Sequence, residues 1–359
     1  MNAQRYFRPN VQALQPYVPG RQAAPGKTIK LNTNENPYPP PPAVVEAIRQ
    51  AAGGSLNRYP DPLASGLRMA IAKTLDLPGP EWVLAGNGSD EILTLLVRGL
   101  VGENQQLRLP TPSYILYRTL ADIQAAQWDE VPFEPDWSLP DSFWQSDPNV
   151  RLVMLPNPNS PSGSVVAPEE IEQRSQDLHC PLLVDEAYAD FADSNCLDLV
   201  RRNEHIMVSR TFSKSYALAG VRMGYLVAQP SLIEQLIKIK DSYNCDALAI
   251  AAATAAMLSQ DWLSDVVAKI RTTRERMWSR LQEMGFDVLP SQGNFVWCTH
   301  PSARHAWMHE QLSQSQILIR YMNYPGFGDG LRISVGTDDQ IDACLMMLQR
   351  LVRQCEVTS

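Results

Sequence analysis

One lysine stands between two serines within residues 210–224, immediately after an apolar run that is predicted to be a strand. The hydroxyls of Ser213 and Ser215, the amides of the turn and the guanidinium of Arg222 are groups that together can bind a phosphate dianion. Lys214 among them would be partly desolvated and close to cations, and both effects favour the neutral, nucleophilic amine that can form a Schiff base. The same residues also fit a solvated loop in which Ser213 caps a helix.

A carboxylate, Asp185, ends the apolar run of residues 182–184. Open α/β sheets bind ligands at the carboxyl ends of their strands. A buried carboxylate is costly unless it is paired, and the protonated ring nitrogen of pyridoxal phosphate is a natural partner. A helix N-cap or a structural ion pair is the alternative. Lys214 follows 29 residues later, at the end of the next predicted strand, which favours the cofactor.

A third candidate element is the loop of residues 156–163, with the sequence Pro-Asn-Pro-Asn-Ser-Pro-Ser-Gly, which follows a predicted strand. Asn side chains can hydrogen-bond a phenolate oxygen, and proline and glycine restrict the loop. Alone, this pattern is typical of an ordinary turn.

Composition narrows the class of protein that these residues serve. The 359 residues are 44% apolar, enough for one large core or two linked ones, and the net charge of −8 makes nucleic acid or an anionic membrane surface an unlikely partner. The uncharged run of residues 247–260 is too short to span a bilayer, and no apolar segment follows Arg5 and Arg8. Six dispersed cysteines without a Cys-x-x-Cys pair indicate reduced thiols and no metal site. We expect a soluble, cytoplasmic protein.

The elements that must position these residues alternate between strand-like and helix-like patterns. Predicted strands are residues 82–85, 106–109, 151–155, 181–184, 205–209 and 225–228, and predicted helices are residues 43–52, 63–75, 91–100, 168–177 and 231–240. This alternation predicts an α/β fold with a mostly parallel sheet covered by helices. The last third changes to long helices (247–259, 261–284, 338–355) and alternating segments (286–289, 294–299, 317–320, 331–335), which indicates a smaller α+β part.

Together with these segments, four further motifs resemble the histidinol-phosphate aminotransferase family of fold-type I pyridoxal phosphate enzymes. They are residues 15–20, 31–37, 57–60 and 331–337, so the likeness covers nearly the whole chain. The resemblance implies a large cofactor-binding domain of residues 34–245 and a small domain of residues 1–33 and 246–359. It also implies a homodimer with a shared active site, and a ping-pong reaction of L-histidinol phosphate with 2-oxoglutarate.

Carried over by position, the resemblance implies that Lys214 binds pyridoxal phosphate and moves the substrate proton. Asp185 would pair with the ring nitrogen, Tyr188 would bond the ring oxygen O3′, and Tyr114 would stack on the ring unless it is a core aromatic. The residues implied in binding the phosphate group are Ser89, Asp90, Ser213, Arg222 and, from the partner subunit, Tyr59.

One position departs from the family pattern. Relatives have Asn directly before Pro-Thr-Gly, and that Asn bonds O3′, but Ser160 stands here. We expect either that Asn159, one residue earlier, serves after a small shift of the loop, or that Ser160 replaces it.

The resemblance also implies which residues bind substrate. Arg332 corresponds to the arginine that holds an anionic group of the amine, and Arg320 to one that binds the phosphate ester, although a surface salt bridge is the alternative for Arg320. Tyr17, Asn34 and Asn244 are candidate wall residues.

Several other classes of protein share part of this pattern. The same scaffold serves aminotransferases for aromatic amino acids and threonine-phosphate decarboxylases, and a regulatory cofactor-binding protein would lack the lysine or the aspartate that are present here. His305 and His309 are four residues apart but lack the Glu and third ligand of a zinc site. The glycines at 86 and 88 do not form the Gly-x-Gly-x-x-Gly pattern of nicotinamide enzymes, and no Gly-x-Ser-x-Gly hydrolase motif is present.

Overall fold

The computed structural model describes residues 3–16 and 28–357. Its strands are β1 (Ile29–Lys30), β2 (Val83–Gly86), β3 (Gln106–Thr111), β4 (Gln127–Pro132), β5 (Val150–Pro156), β6 (Leu182–Asp185), β7 (Ile206–Thr211), β8 (Gly224–Val227), β9 (Asp287–Val288), β10 (Phe295–Thr299), β11 (Ile317–Leu318), β12 (Arg320–Tyr324) and β13 (Gly328–Ser334). Its helices are α1 (Pro9–Ala13), α2 (Pro42–Ala52), α3 (Ser65–Thr74), α4 (Ser89–Leu100), α5 (Leu116–Gln124), α6 (Pro168–Ser175), α7 (Leu197–Arg202), α8 (Pro230–Ile237), α9 (Ala247–Met257), α10 (Gln260–Glu283), α11 (His305–Gln314) and α12 (Asp338–Val357).

The large sheet has the strand order β2-β8-β7-β6-β5-β3-β4. Strands β7 to β4 are parallel, and β8 is antiparallel to both β2 and β7. Strand β6 is buried along its whole length, because Leu182 and Val184 pack into the core on one face and Leu183 packs into the core on the other. A sheet covered by helices on both faces confirms the predicted α/β class.

The smaller sheet is antiparallel, in the order β12-β13-β10-β9. One of its faces packs through Val296, Leu331 and Ile333 on the core formed with α10, α11 and α12. The short strand β1 pairs in parallel with β11, so a segment near the amino terminus joins this part of the molecule.

Two contacts bear on the predicted domain boundaries. Helix α9 begins where the Asp246 carboxylate accepts hydrogen bonds from the amides of Leu248 and Ala249, and the helix then packs against α2 and α3 of the large part. Near the amino terminus, Arg8 and Asn10 donate hydrogen bonds to carbonyls at the end of α5. Helix α9 and the segment of α1 thus both contact helices that cover the large sheet, and the boundaries at residues 33/34 and 245/246 stay a prediction.

Gly224 lies where two backbones approach closely. It starts β8 opposite Gly86, and a Cβ at residue 224 would lie 2.5 Å from the backbone nitrogen of Ser89 and 2.7 Å from the carbonyl carbon of Gly88. We expect Gly224→Ala to lower the free energy of unfolding by about 1–3 kcal/mol, because backbone at the start of α4 has to move. Urea unfolding measures this. Gly66→Ala, at a position with no atom within 4 Å, is the control and should be neutral or slightly stabilising; equal effects would contradict the close approach.

Candidate active site

The predicted chemical groups lie at the carboxyl edge of the large sheet. Asp185 ends β6 and is in register with Pro156 at the end of β5 and with Ser209 in β7. Lys214 lies in the turn that follows β7. The structure therefore brings the Asp185 strand end, the loop that begins at Pro156 and the lysine turn to one edge of the sheet.

The Asp185 carboxylate is buried but hydrogen-bonded. Its Oδ2 accepts a 2.7 Å bond from the hydroxyl of Tyr117 and its Oδ1 a 3.2 Å bond from that of Ser209. Burial raises the pKa of Asp185 to about 6, although these hydrogen bonds act in the opposite direction. A cationic partner would return the carboxyl to its ionised form.

Lys214 lies against Tyr188 and the segment that follows β1. Its Nζ donates a 3.2 Å hydrogen bond to the carbonyl of Thr33 and is 5.5 Å from the centre of the Tyr188 ring. The Asn34 amide donates to the Tyr188 hydroxyl at 3.0 Å. Asn34 has a left-handed backbone (φ 53°). Its backbone N–H donates to the Ser334 hydroxyl, and that hydroxyl donates to the Asn34 side-chain oxygen. Asn34 therefore orients Tyr188. The sequence predicted only that Asn34 lines the wall of the substrate site.

A buried ion cluster holds the turn of Lys214. The Arg210 guanidinium donates two hydrogen bonds, of 2.9 and 2.7 Å, to one oxygen of Glu186 and contacts Asp190 at 3.4 Å. Asp190 in turn accepts a hydrogen bond from Ser215, the residue after the lysine. The strand ends of β6 and β7 are thereby linked by charge-assisted bonds, which are stronger than neutral ones.

The predicted phosphate-binding residues meet at the start of α4. Arg222 donates to Ser213 at 3.2 Å and to Asp90 at 3.1 Å, and it has a left-handed backbone (φ 59°). The helix starts at Ser89 after Gly88 (φ 80°), where a Cβ would lie 2.6 Å from the Arg222 guanidinium. Free amides at a helix amino terminus beside a guanidinium form an anion site.

Tyr114 borders this site and is 39% exposed, which excludes the core-aromatic alternative. Its hydroxyl donates to Asp90 at 3.2 Å, and its ring meets that of Tyr117 edge to face at 5.7 Å. An exposed ring held at its edge and its hydroxyl has a face available for stacking.

Asn159 and Ser160, the two candidates for the contact with O3′, differ in their hydrogen bonds. The Asn159 amide group donates to the Pro112 carbonyl at 3.2 Å and to Ser162 at 2.9 Å, while its buried Oδ1 has no hydrogen-bond partner. Both amide hydrogens of Asn159 are thus used within the protein. The hydroxyl of Ser160 accepts a 2.9 Å bond from Arg332, so its own proton is available for donation.

Arg320 and Arg332 are directly opposite each other on β12 and β13. Arg332 also donates to the Asn32 carbonyl at 3.1 Å. Arg320 forms no ion pair with any of the described residues, which removes the salt-bridge alternative there. Like charges on cross-strand neighbours repel unless an anion lies between them.

The remaining predicted residues differ in position. The Asn244 amide donates to the Ala85 carbonyl (3.1 Å) and to Glu91 (2.9 Å), beside the start of α4. Tyr59 is 80% exposed and stacks on Tyr243 with ring centres 4.3 Å apart. Tyr17 lies outside the described residues.

Sequence reasoning missed the residues that support the predicted ones. Tyr117 bonds Asp185 but is separated from it by 68 residues, so no local pattern connects them. Ser209 had a usable signal, because it lies two residues before the end of the strand next to Asp185 and points to the same side. Glu186 follows Asp185 and Arg210 begins the segment that contains Lys214, but only the register of β6 and β7 shows that the two residues pair.

Within the described ranges, no group of three or more His, Cys, Asp or Glu residues could hold a metal ion. No helix in this part of the chain is long and apolar enough to cross a bilayer. The described cysteines are all buried, and none of them forms a disulfide.

Comparison with known proteins identifies the family to which the chain belongs. Residues 26–348 match the family "Aminotransferase class I and II", and the protein is a pyridoxal phosphate-dependent aminotransferase of that class. A histidinol-phosphate aminotransferase of Rhodopirellula baltica is 64% identical over 98% of this chain and 97% of its own length. Histidinol-phosphate aminotransferase 1 of Trichormus variabilis is 42% identical over 97% and 99%. The chain belongs to the histidinol-phosphate aminotransferase family.

A solved structure gives the same result. The histidinol-phosphate aminotransferase of Sinorhizobium meliloti, crystallised with pyridoxal 5′-phosphate, superposes with a TM-score of 0.88 at 28% identity, covering 97% of this chain and 98% of that one. The buried Asp185 carboxylate, Lys214 at the same sheet edge and the anion site of α4 fit that cofactor.

Replacing Asp185 by Asn separates the effect of this carboxyl on folding stability from its effect on cofactor binding. The folded-state pKa near 6 exceeds the ordinary value near 4, so this carboxyl contributes stability below pH 4 that is lost as pH rises to 6. At pH 8 we expect the cofactor-free Asp185→Asn variant to exceed the cofactor-free wild type in free energy of unfolding by up to about 3 kcal/mol. The difference should shrink towards pH 4, and the variant should bind pyridoxal phosphate more weakly. Urea unfolding at both pH values measures this; a variant less stable than wild type at pH 8 would contradict it.

Proposed function

We propose that this chain transfers the amino group of L-histidinol phosphate to 2-oxoglutarate, giving imidazole acetol phosphate and L-glutamate. The proposal rests on the family relationship and on one observation in particular, the facing guanidiniums of Arg320 and Arg332. A phosphate ester carries two negative charges, and two arginines bind such a dianion more tightly than they bind a single carboxylate.

The residues of the sheet edge take separate roles. Pyridoxal phosphate, when bound, supplies an electron sink for the bonds that break at the amine carbon. Lys214 binds the cofactor and moves the proton at that carbon. Asp185 pairs with the ring nitrogen and keeps it protonated, while Ser213, Arg222 and the first amides of α4 hold the phosphate group.

The O3′ side of the ring is served by two hydroxyls in this proposal. Tyr188 donates from one side, since its oxygen already accepts the Asn34 amide hydrogen and its own proton is free. Ser160 is the better second donor than Asn159, because both amide hydrogens of Asn159 are engaged.

The second half-reaction uses the same arginines with a different anion. The proposed acceptor, 2-oxoglutarate, has two carboxylates, which Arg332 and Arg320 can bind in place of the phosphate ester. Because donor and acceptor occupy one site in turn, the kinetics should be ping-pong.

A homodimer and a cytoplasmic location complete the proposal. Tyr59 and Tyr243 form an exposed stacked pair, and such aromatic surface is typical of protein interfaces. Tyr59 would then reach the cofactor phosphate of the partner subunit. Six buried cysteines, none of them in a disulfide, suit a reducing compartment.

A single-turnover measurement tests the substrate. The holoenzyme is mixed in turn with L-histidinol phosphate, phenylalanine, tyrosine and threonine phosphate, and the absorbance of the bound cofactor is followed. We expect the fastest conversion with L-histidinol phosphate. Fast conversion with phenylalanine or tyrosine alone would identify an aromatic aminotransferase, and release of carbon dioxide from threonine phosphate would identify a decarboxylase.

Arg320 provides the sharper variant. Loss of one charge-assisted contact, worth about 1.5–3 kcal/mol, should raise KM for L-histidinol phosphate by about 10- to 150-fold in Arg320→Gln, with an unchanged cofactor spectrum. Steady-state kinetics with each substrate varied in turn measures this. Arg350→Gln, on the exposed side of α12, is the control and should retain the wild-type KM. An unchanged KM in Arg320→Gln would remove Arg320 from the substrate site.

A further inference from the structure

An aromatic cluster joins the large and small parts of the molecule. Phe133 and Trp137, in the segment after β4, meet Trp297 of β10 and Phe327 of the β12–β13 hairpin; we call these four residues the aromatic anchor. The Trp137 and Phe327 rings are 4.8 Å apart, and those of Trp137 and Phe133 are 5.8 Å apart. Trp137 and Trp297 are buried, so the anchor is an interior contact between the two parts.

Trp137 has a backbone conformation that its side chain does not favour. Its φ is 65°, in the left-handed region where bulky residues are rare. The turn is closed by a 2.8 Å bond from the Trp137 amide to the Glu134 carbonyl and a 2.9 Å bond from the Glu134 amide to the Ser138 carbonyl. Glycine would adopt this turn without strain. The indole therefore has a packing role that offsets the strain of the turn.

The anchor is continuous with the substrate arginines. Trp297 is in register with Arg332, which is in register with Arg320, so the three side chains form one row on one face of the small sheet. The Trp297 indole covers Gly330, where a Cβ would lie 2.6 Å from its Cζ2 and 2.9 Å from its Cη2. Any shift of the anchor would therefore be passed directly to Arg332.

The same junction is crossed by the hydrogen bond from Arg332 to Ser160, which joins β13 to the cofactor-side loop at 2.9 Å. This bond is a polar contact at the same junction as the apolar anchor. Together they connect the arginine row to the sheet edge that carries Lys214.

We propose that Trp137 is a positioning residue, which holds the β12–β13 hairpin against the large part so that Arg320 and Arg332 form a ready-made anion site. Its effect is on anion affinity and not on the chemistry at Lys214. The inference rests on the proposed function to the extent that the substrates are the anions bound there.

The test compares Trp137→Ala with Trp137→Gly in the holoenzyme, whose cofactor phosphate site is filled. Inorganic phosphate serves as the probe, measured as a competitive inhibitor and by titration calorimetry. We expect both variants to lose at least tenfold in phosphate affinity and to raise KM for both substrates, with kcat within threefold and an unchanged cofactor spectrum. If Trp137→Gly regains wild-type affinity, the backbone and not the indole matters, and the proposal is wrong.

Gly330→Ala tests the anchor from the side of the small sheet. It should give the same loss of phosphate affinity, because the added Cβ displaces Trp297. Trp128→Ala, an exposed tryptophan of β4 outside the anchor, is the control and should behave as wild type. Wild-type phosphate affinity in the residue 137 and 330 variants, with only a lower melting temperature, would reduce the anchor to a structural contact and overturn the proposal. Phosphate binding is measured without the amine donor, so a wild type inactive on L-histidinol phosphate would refute the proposed function alone.

Discussion

A carboxylate buried at the end of a strand has to be stabilised by what surrounds it, and Asp185 sets this requirement for the whole large sheet. Two hydroxyls approach it, from Tyr117 on α5 and from Ser209 on β7. These bonds do not fully offset the loss of water, since its pKa remains raised. The protein alone thus leaves the Asp185 carboxylate without a cationic partner. The protonated ring nitrogen of pyridoxal phosphate can be that partner. Cofactor affinity and fold stability are therefore linked through one side chain.

The neighbouring residues extend the same principle. Glu186, next to Asp185, is also buried, but it has a full partner in Arg210 on the adjoining strand. One carboxylate is neutralised by the protein and the other is left for the ligand. The Glu186–Arg210 ion pair joins the ends of β6 and β7. The Asp185 carboxylate is left to pair with the cofactor.

Much of this arrangement could be predicted from the sequence, because it depends on local order along the chain. Strand ends carrying Asp185 and Lys214 follow from apolar runs and their spacing, and parallel strands bring such ends to one edge. The supporting contacts could not be predicted, since Tyr117 and Asp185 meet only through the packing of α5 on the sheet. The small part was predicted less well: the predicted strand of residues 317–320 comprises all of β11 (Ile317–Leu318) and the first residue of β12, and the two strands pair with different partners. Trp137 gave no signal, because its left-handed turn contains no glycine.

The pairing of β1 with β11 also has a consequence for how the chain is made. Thr28 and Gln316, bonded beside this pair, are 288 residues apart, and Asn34 and Ser334 are 300 apart. Closing loops of this length is entropically costly and belongs to the slow, late events of folding. Thr33 and Asn34, which contact Lys214 and Tyr188, leave the ribosome long before Ser334, whose hydroxyl is bonded to Asn34. A nascent chain can therefore complete the large sheet before Ser334 is synthesised, so the sheet and the finished active site form at different times.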